Sequence, residues 1–374
     1  MGLFGPKKQS YLGVDFGSGG IKLVELKSEK GRSRLFTYGF QERMPGVEPV
    51  NMVDDPNGTA QILREMLKKS RTTTLKAVGG LPVASVFSSV VTVPRAKKEE
   101  EIREAARWQA KKLIPVPLDE MKLDFKIIDG SSSSKSAGAK KSKDKKDNQA
   151  DKTEESKTVQ VLITGAATAM IQKYVSVFNK AGLELTSLET ETFALIRSLV
   201  GKDRSTTMIV DVGSVRTNIL IVENGIPYVT RSVDMGGSGL TRAMGKALEL
   251  GVKEAEEMKT DIKSVQTIYP GEGIPKIFEA AMAPLVTELQ YSINLYAGQG
   301  EDNGNSKRVE KIILTGGTAS LPAVSEYFAE QLNTRTYVGD PWARVAYPEG
   351  LRPILDEIGP RFAVAIGLAM QNVE

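Results

Sequence analysis

Apolar residues near the start of the chain come in short runs that glycine, serine and charged residues interrupt. Residues 11–16, 21–26 and 34–40 form three such runs, and their β-branched and aromatic content predicts successive strands. The glycine-containing segments between them predict tight turns. At 59–70 the apolar positions change to a spacing of three and four residues, which predicts a helix. The chain therefore opens with three strands followed by a helix.

The same order returns after the middle of the chain. Residues 208–222 contain an apolar run, an aspartate, a Gly-Ser turn and a second apolar run, and residues 229–233 supply a third strand. Internal duplication of this kind determines the architecture of a protein. The pattern thus predicts an α/β protein of two duplicated halves, which face one another and bring both Asp-Gly turns to one cleft.

A separate unit is predicted between the two copies, at 81–181. Its helix, at 97–112, carries charged residues on one side. The other side is expected to hold Ile102, Ala106, Gln109 and Leu113. Within the same unit, residues 130–157 are almost entirely serine, lysine, aspartate, alanine and glycine. Such a composition cannot bury apolar surface, so this segment is predicted to be a disordered loop.

Composition then limits the chemistry. The chain of 374 residues contains no cysteine and no histidine, so acid–base chemistry falls to carboxylates, lysine, tyrosine or water. Its net charge of +4 is small, which argues against nucleic acid as a partner. No apolar run approaches the length that spans a membrane. We therefore expect a cytoplasmic protein without direct membrane insertion.

Both Asp-Gly turns have the composition of a phosphate site. Glycines let the backbone turn amide groups inward, and such nests bind anionic oxygens. The residues expected to hold the ligand are Gly17, Ser18, Gly19, Gly20 and Lys22 in the first copy and Gly213, Ser214, Thr217 and Asn218 in the second. Asp15 and Asp211 would repel a bare phosphate, but both fit a magnesium ion held through water. An ordinary β-turn is the alternative, and the repetition of the motif in matching contexts weakens it.

Two more glycine pairs follow in the second half. In LTGGTASLP, a strand end leads into Gly316, Gly317 and Thr318, where a flat ring could lie against bare backbone. Gly236 and Gly237 form a similar entry to a predicted helix. A plain helix-entry turn is the alternative for either pair, so the first is expected to contribute to a nucleoside pocket and the second is more ambiguous.

These motifs together resemble the superfamily of actin, Hsp70 and sugar-kinase ATPases. VDFGSGGIKLVEL is similar to its first phosphate motif, VDVGSVRTNILIV to its second and LTGGTASLP to its adenosine motif. The resemblance implies two RNase-H-like halves around a nucleotide cleft, each with an inserted subdomain, and ATP with Mg²⁺ as cofactors. It also implies that Glu191 orients the attacking water and that Glu256 and Lys259 contact the ribose.

On this resemblance the chain divides into segments of two halves. The expected segments are 1–80 for the first half, 81–181 for the inserted subdomain, 182–204 for the return to the first half, 205–240 for the second half, 241–306 for its helical insertion, 307–345 for the second half with the adenosine loop, and 346–374 for a closing segment of the first half.

The position of the inserted unit indicates which families within this superfamily the chain resembles most. In actin and Hsp70 the extra domain follows the third strand, whereas here it comes later, as in the cell-division protein FtsA and the PilM family of pilus assembly proteins. FtsA ends in an amphipathic membrane helix, and this chain stops soon after its predicted closing helix, so the PilM family is the better match. That family implies a cytoplasmic adaptor at the inner membrane. Its expected partners are the N-terminal cytoplasmic tail of a PilN-like protein, other pilus components, and further copies of itself in a homo-oligomer or ring.

Partner contacts are expected from Arg95, Arg107 and Trp108, on or beside the helix at 97–112. The alternative is a solvated helix face with one anchoring aromatic residue. Two other functions stay open, an FtsA-like filament-forming tether and a small-molecule kinase. A kinase needs a spare aspartate in the cleft to accept the proton of its substrate, and the sequence offers no convincing one. Phosphate transfer to sugars or acetate would identify a kinase.

Overall fold

The computed structural model describes residues 10–29, 31–44, 50–128, 157–260, 276–299, 307–321 and 323–372. The predicted loop at 130–157 lies outside the described residues except for Lys157. In chain order the described strands are β1 (Ser10–Gly17), β2 (Gly20–Glu29), β3 (Arg32–Glu42), β4 (Lys76–Leu81), β5 (Val86–Pro94), β6 (Met121–Ile128), β7 (Thr158–Ala167), β8 (Glu184–Thr190), β9 (Thr207–Val212), β10 (Thr217–Glu223), β11 (Ile226–Val233), β12 (Lys311–Thr315), β13 (Thr336–Val338) and β14 (Val345–Ala346).

The described helices connect and cover these strands. They are α1 (Pro56–Ser70), α2 (Glu99–Leu113), α3 (Thr168–Ala181), α4 (Glu191–Leu195), α5 (Gly237–Leu248), α6 (Val252–Thr260), α7 (Lys276–Gly298), α8 (Val324–Leu332) and α9 (Arg352–Met370). A π-helical turn, Ile196–Val200, follows α4. Within the described residues, no helix combines the length and the apolar character needed to cross a lipid bilayer.

Two of the sheets share one plan. Their strand orders are β14-β3-β2-β1-β4-β8 and β11-β10-β9-β12-β13. In each, two consecutive hairpins give three antiparallel strands, and parallel strands extend the sheet from the first of them: β4 pairs with β1, and β12 pairs with β9. The carboxyl ends of parallel neighbours lie at the same edge, which is where α/β sheets bind ligands. The predicted duplication is confirmed.

Helix α9 packs on the first sheet through small residues. A Cβ atom added to Gly13 would lie 2.1 Å from the carbonyl oxygen of Ala365, and one added to Gly367 would lie 2.0 Å from the carbonyl oxygen of Ala194. Only glycine permits backbones to approach so closely. α9 therefore fixes the positions of β1 and α4, two elements that carry residues of the candidate site.

The chain divides into two compact units, residues 1–86 with 169–374 and residues 87–168. Both duplicated halves belong to the larger unit, and so does nearly all of α3. The smaller unit contains α2 and a sheet of β5, β7 and β6 in that order.

The apolar side of α2 differs from the prediction in its last turn. Ile102 and Ala106 are buried as expected, but Ala110 is the next buried residue, while Gln109 is half-buried and Leu113 is 49% exposed. The reason is that burial follows a spacing of four residues along the helix, which turns Leu113 away from the sheet.

Candidate functional site

Three carboxylates converge on the cleft from three elements. Asp15 lies opposite Lys22 in the first hairpin, and Asp211 lies opposite Asn218 in the second. Glu191 is the first residue of α4. Asp15 is 5% and Glu191 8% exposed, so both are withdrawn from bulk water. The duplicated turns thus supply matching acids, and the helix supplies a third.

Asn218 joins two of these acids. Its amide nitrogen donates to Oδ2 of Asp211 and to Oε2 of Glu191, both at 3.2 Å, while its carbonyl oxygen accepts a hydrogen bond from Ser232 at 2.9 Å. Because the oxygen is held by a hydroxyl, the amide presents its nitrogen to the carboxylates. The backbone N–H of Val83 gives Glu191 a further hydrogen bond at 3.2 Å. The orientation of Glu191 is therefore fixed from two sides.

The cleft is rich in buried negative charge. Burial, with Asp15 and Asp211 nearby, raises the pKa of Glu191 to about 8. Burial and Asp15 likewise raise the pKa of Asp211 to about 6. Lys22 offsets part of this charge, since its Nζ lies 3.5 Å from Oδ2 of Asp15. Converging carboxylates with raised pKa values are stabilised by a divalent cation, and carboxylate oxygens are ligands that fit Mg²⁺.

Among the described residues, no group of three or more acidic side chains is arranged to hold a metal ion by itself. Magnesium in nucleotide sites is usually bound by one or two carboxylates, water and the phosphates of the ligand. Asp15 and Asp211 fit that smaller requirement.

The two turns approach each other closely. A Cβ atom on Gly19 would lie 3.3 Å from Cβ of Ser214 in the second turn. Gly20 has a φ of 135°, and a Cβ atom there would lie 2.1 Å from the carbonyl oxygen of Gln41, so the first turn requires glycine at this place. Ser18, at its tip, is half-buried. A Cβ atom on Gly17 would lie within contact of Lys22, at 2.8 Å from its Nζ. At Gly19 the first turn thus approaches the second without a side chain of its own.

The second turn is tied to the glycine pair that precedes α5. The carbonyl of Gly213 accepts a hydrogen bond from the N–H of Gly237 at 2.9 Å, and a Cβ atom on Gly236 would lie 2.7 Å from the same carbonyl. Thr217 is fully buried, and its hydroxyl donates to the carbonyl of Met235 at 2.6 Å. That hydroxyl therefore stabilises the turn from inside the protein.

The third glycine loop lies against the strand that carries Asp211. Gly316 has a φ of 85°, and a Cβ atom on it would lie 2.7 Å from Oδ1 of Asp211. Its N–H donates to the carbonyl of Pro360 at 2.9 Å, which ties the loop to α9. Around Gly317 there is more room, since the nearest atom to an added Cβ is 3.8 Å away. The loop therefore leaves open backbone beside the acids.

Glu256 and Lys259 form one network beside this loop. Nζ of Lys259 donates to both oxygens of Glu256, at 2.8 and 2.9 Å, to the hydroxyl of Thr241 at 2.8 Å and to the carbonyl of Gly237 at 3.2 Å. Burial lowers the pKa of Lys259. The hydroxyl of Thr318 would lie 2.7 Å from a Cβ atom on Gly237, so the third loop and this network are neighbours.

Sequence reasoning missed three contributors to the cleft, Val83, Thr241 and Arg43. Thr241 follows Gly237 by one helical turn, so its spacing from the glycine pair could have indicated it. Val83 acts through its backbone, and Arg43 comes directly after β3 outside any motif. For these two the sequence contains no local signal.

The predicted partner residues lie in the smaller unit. Trp108 is 67% exposed and Arg107 is also exposed. Both line a surface pocket of about 650 Å³, and its other lining residues are Glu104, Lys111, Val116, Pro117, Leu118 and Asp119. Arg95 is exposed but is not part of this lining, and its backbone N–H donates to the carbonyl of Lys157 at 2.9 Å.

Comparison with known proteins agrees with this architecture. The family model described as type IV pilus assembly protein PilM matches residues 13–141 and 147–373. A chain in the solved PilM-PilN type IV pilus biogenesis complex is 26% identical, with a TM-score of 0.78, and the match covers 97% of this chain and 98% of that one. The ethanolamine utilization protein EutJ from Carboxydothermus hydrogenoformans, 16% identical with a TM-score of 0.52 over 98% of this chain and 91% of that one, shares the fold.

Curated relatives point to the same superfamily. The cell division protein FtsA of Neisseria meningitidis serogroup B (strain MC58) is 25% identical over 225 residues, which are 55% of this chain and 52% of the relative. The chain spans about half the length of the curated relatives it matches. The predicted actin-like ATPase fold is confirmed, and so is the resemblance to pilus assembly proteins. Because the family model covers nearly all of its length, the chain belongs to the PilM family of type IV pilus assembly proteins.

Proposed function

We propose that the chain is an ATP-binding cytoplasmic adaptor of a type IV pilus assembly complex. It binds the N-terminal cytoplasmic tail of a PilN-like inner-membrane protein, which holds it at that membrane, and it assembles with other copies, as a ring. The observation that carries nucleotide binding is the close approach of Gly19 and Ser214, which sets two glycine turns beside three carboxylates. The partner is supported by family membership and by the likeness of this chain to one in the solved PilM-PilN complex.

In this proposal the two sides of the cleft have different tasks. The turns at 17–20 and 213–214 hold the phosphates, and the loop at 316–318, with Glu256 and Lys259, holds the nucleoside. Asp15 and Asp211 hold Mg²⁺ through water, and the ion neutralises phosphate charge. Glu191 orients a water molecule, which permits slow hydrolysis at most.

Calorimetric titration with ATP in the presence of Mg²⁺ tests the nucleotide site. Asp15→Ala and Asp211→Ala should each weaken ATP binding by about 1–3 kcal/mol, roughly 5- to 150-fold, because each removes a charged contact to the metal shell. The exposed Asp356, changed to alanine, serves as a control and should leave the affinity unchanged. Unchanged affinity in both cleft variants would remove the basis for this site.

The partner is tested with a synthetic peptide of the PilN-like N-terminal tail and fluorescence anisotropy. The candidate nucleotide residues belong to the larger unit, and Trp108 belongs to the smaller one. The chain should therefore be able to bind peptide and ATP at the same time. Any coupling between the two affinities must be reciprocal. If the apparent affinity for the peptide fell without limit as ATP increased, one shared site would replace the two that we propose.

A further inference from the structure

Arg43 spans the two turns of the cleft. It follows β3 directly, and its backbone N–H donates to the carbonyl of Gly19 at 3.1 Å. Its side chain extends towards the second turn, where Nη2 lies 3.5 Å from the hydroxyl oxygen of Ser214. The backbone of Arg43 is thus attached to one turn while its guanidinium reaches the other.

The guanidinium is incompletely satisfied by the described protein. Nη1 of Arg43 is buried and has no hydrogen-bond partner within the described residues. The contact of Nη2 with Ser214 is long and involves an uncharged group. The neighbouring carboxylate of Glu42 pairs with Arg361 instead. Burying a polar group without a hydrogen-bond partner is costly, and more so when the group is charged, so a buried guanidinium nitrogen without a partner needs an explanation.

An anionic ligand between the two turns would explain the unpaired guanidinium nitrogen of Arg43. The planar guanidinium matches the spacing of phosphate oxygens and can donate two parallel hydrogen bonds to them. The charge of Arg43 also reaches the nucleoside side of the cleft. Burial alone would raise the pKa of Glu256, but hydrogen bonds from Lys259 and Thr241 and the charges of Lys259 and Arg43 lower it. The guanidinium therefore lies within electrostatic reach of both parts of a nucleotide.

We infer that Arg43 binds the phosphate chain of the nucleotide and makes the affinity of the cleft depend on the number of phosphates. The inference rests on the proposed ATP binding. It adds to the two glycine turns one further residue of the first half that contacts the ligand. The ligands that Arg43 would favour are nucleoside di- and triphosphates, as opposed to the nucleoside alone.

Titrations of the full chain with ATP, ADP and adenosine, each with Mg²⁺, test this assignment. Arg43→Gln removes the charge and should weaken ATP at least tenfold and ADP less, while adenosine changes by less than twofold. Arg43→Lys keeps a charge without the planar fork, so its affinity for ATP should lie between those of Arg43→Gln and the wild type. Arg34, within β3, is exposed and pairs with Glu29. Arg34→Gln is the matched control and should behave as the wild type does with every ligand.

Each result separates this inference from the proposed function. If the wild type binds ATP and both Arg43 variants match it within twofold, Arg43 is not a phosphate ligand, and the proposed function stands. If the affinities for ATP and adenosine fall by the same factor, Arg43 supports the fold of the cleft and does not distinguish ligands by their phosphates. If the wild type binds none of the three ligands, the proposed function fails, and this inference fails with it. Melting temperatures of both variants, recorded without ligand, show that any loss of binding is not a loss of folding.

Discussion

Glu191→Gln should change how the stability of the protein depends on pH. In the folded chain burial and two nearby aspartates raise the pKa of Glu191 from 4.5 to about 8. Between these two values the folded state holds a proton that the unfolded state has released. The free energy of unfolding therefore falls as the pH rises, by up to about 1.4 kcal/mol per pH unit, until the folded group is also ionised near pH 8.

The window from pH 6 to 8 isolates this group unusually well. The chain has no histidine and no cysteine, so the side chains that ordinarily titrate near neutrality are missing from the sequence. Asp211 also has a raised pKa, but at about 6 its effect is largely complete at the lower end of the window. Over the two pH units Glu191 alone should cost up to about 2.7 kcal/mol, a shift of several degrees in melting temperature.

The assay is the melting temperature between pH 6 and 8, without nucleotide or divalent metal. The wild type should lose stability with rising pH, whereas Glu191→Gln, which cannot ionise, should show a nearly flat profile. Glu184→Gln replaces an exposed glutamate at the start of β8 and should retain the slope of the wild type. Parallel slopes in the wild type and Glu191→Gln would refute the reasoning, because they would mean that Glu191 is not held among buried acids.

Three further variants test other parts of the structure. Gly367→Ala should lower the free energy of unfolding by more than about 3 kcal/mol in urea, since its Cβ atom would lie 2.0 Å from the carbonyl oxygen of Ala194, while Gly350→Ala, in open space, should be nearly neutral. Lys259→Met removes the partner of Glu256 and should destabilise by about 1–3 kcal/mol, and it should weaken ATP and adenosine by similar factors in calorimetry. Trp108→Ala should change the melting temperature little, because the side chain is 67% exposed, but should weaken binding of the PilN-like tail peptide.

Much of the core could be predicted because its determinants are local. The two hairpins follow from short apolar runs separated by glycine, and the matching of Asp15 with Asp211 follows from the repetition of one motif. Asn218 could be predicted as part of that motif, although its hydrogen bond to Glu191 could not, since the two residues lie 27 positions apart. The sequence thus indicates which residue types occupy the turns, and tertiary packing decides what each one contacts.

Thr217 and Arg43 show two kinds of contact that the sequence pattern does not predict. Thr217 occupies a phosphate-motif position, yet its hydroxyl is committed to the carbonyl of Met235. Arg43 lies outside every motif, yet packing of the end of β3 against Gly19 brings its guanidinium to Ser214, which is 171 positions away. The direction of a hydroxyl and a contact of such long range depend on how elements pack, and neither changes the local pattern of apolar and polar residues.

The duplicated turns also place different neighbours beside their aspartates. This difference makes the two sides of the cleft chemically unlike. Asp15 lies beside the ammonium group of Lys22, whereas Asp211 receives a hydrogen bond from the neutral amide of Asn218. An ammonium group compensates negative charge, while an amide chiefly orients a carboxylate. Ionisation is therefore least compensated at Asp211 and Glu191, whose pKa values are raised, so a cation that replaces their protons gains most on that side. We expect Asp211 to contribute more than Asp15 to holding Mg²⁺, and Lys22 to contribute to holding the phosphates, so that two copies of one motif would differ in their share of metal and anion binding.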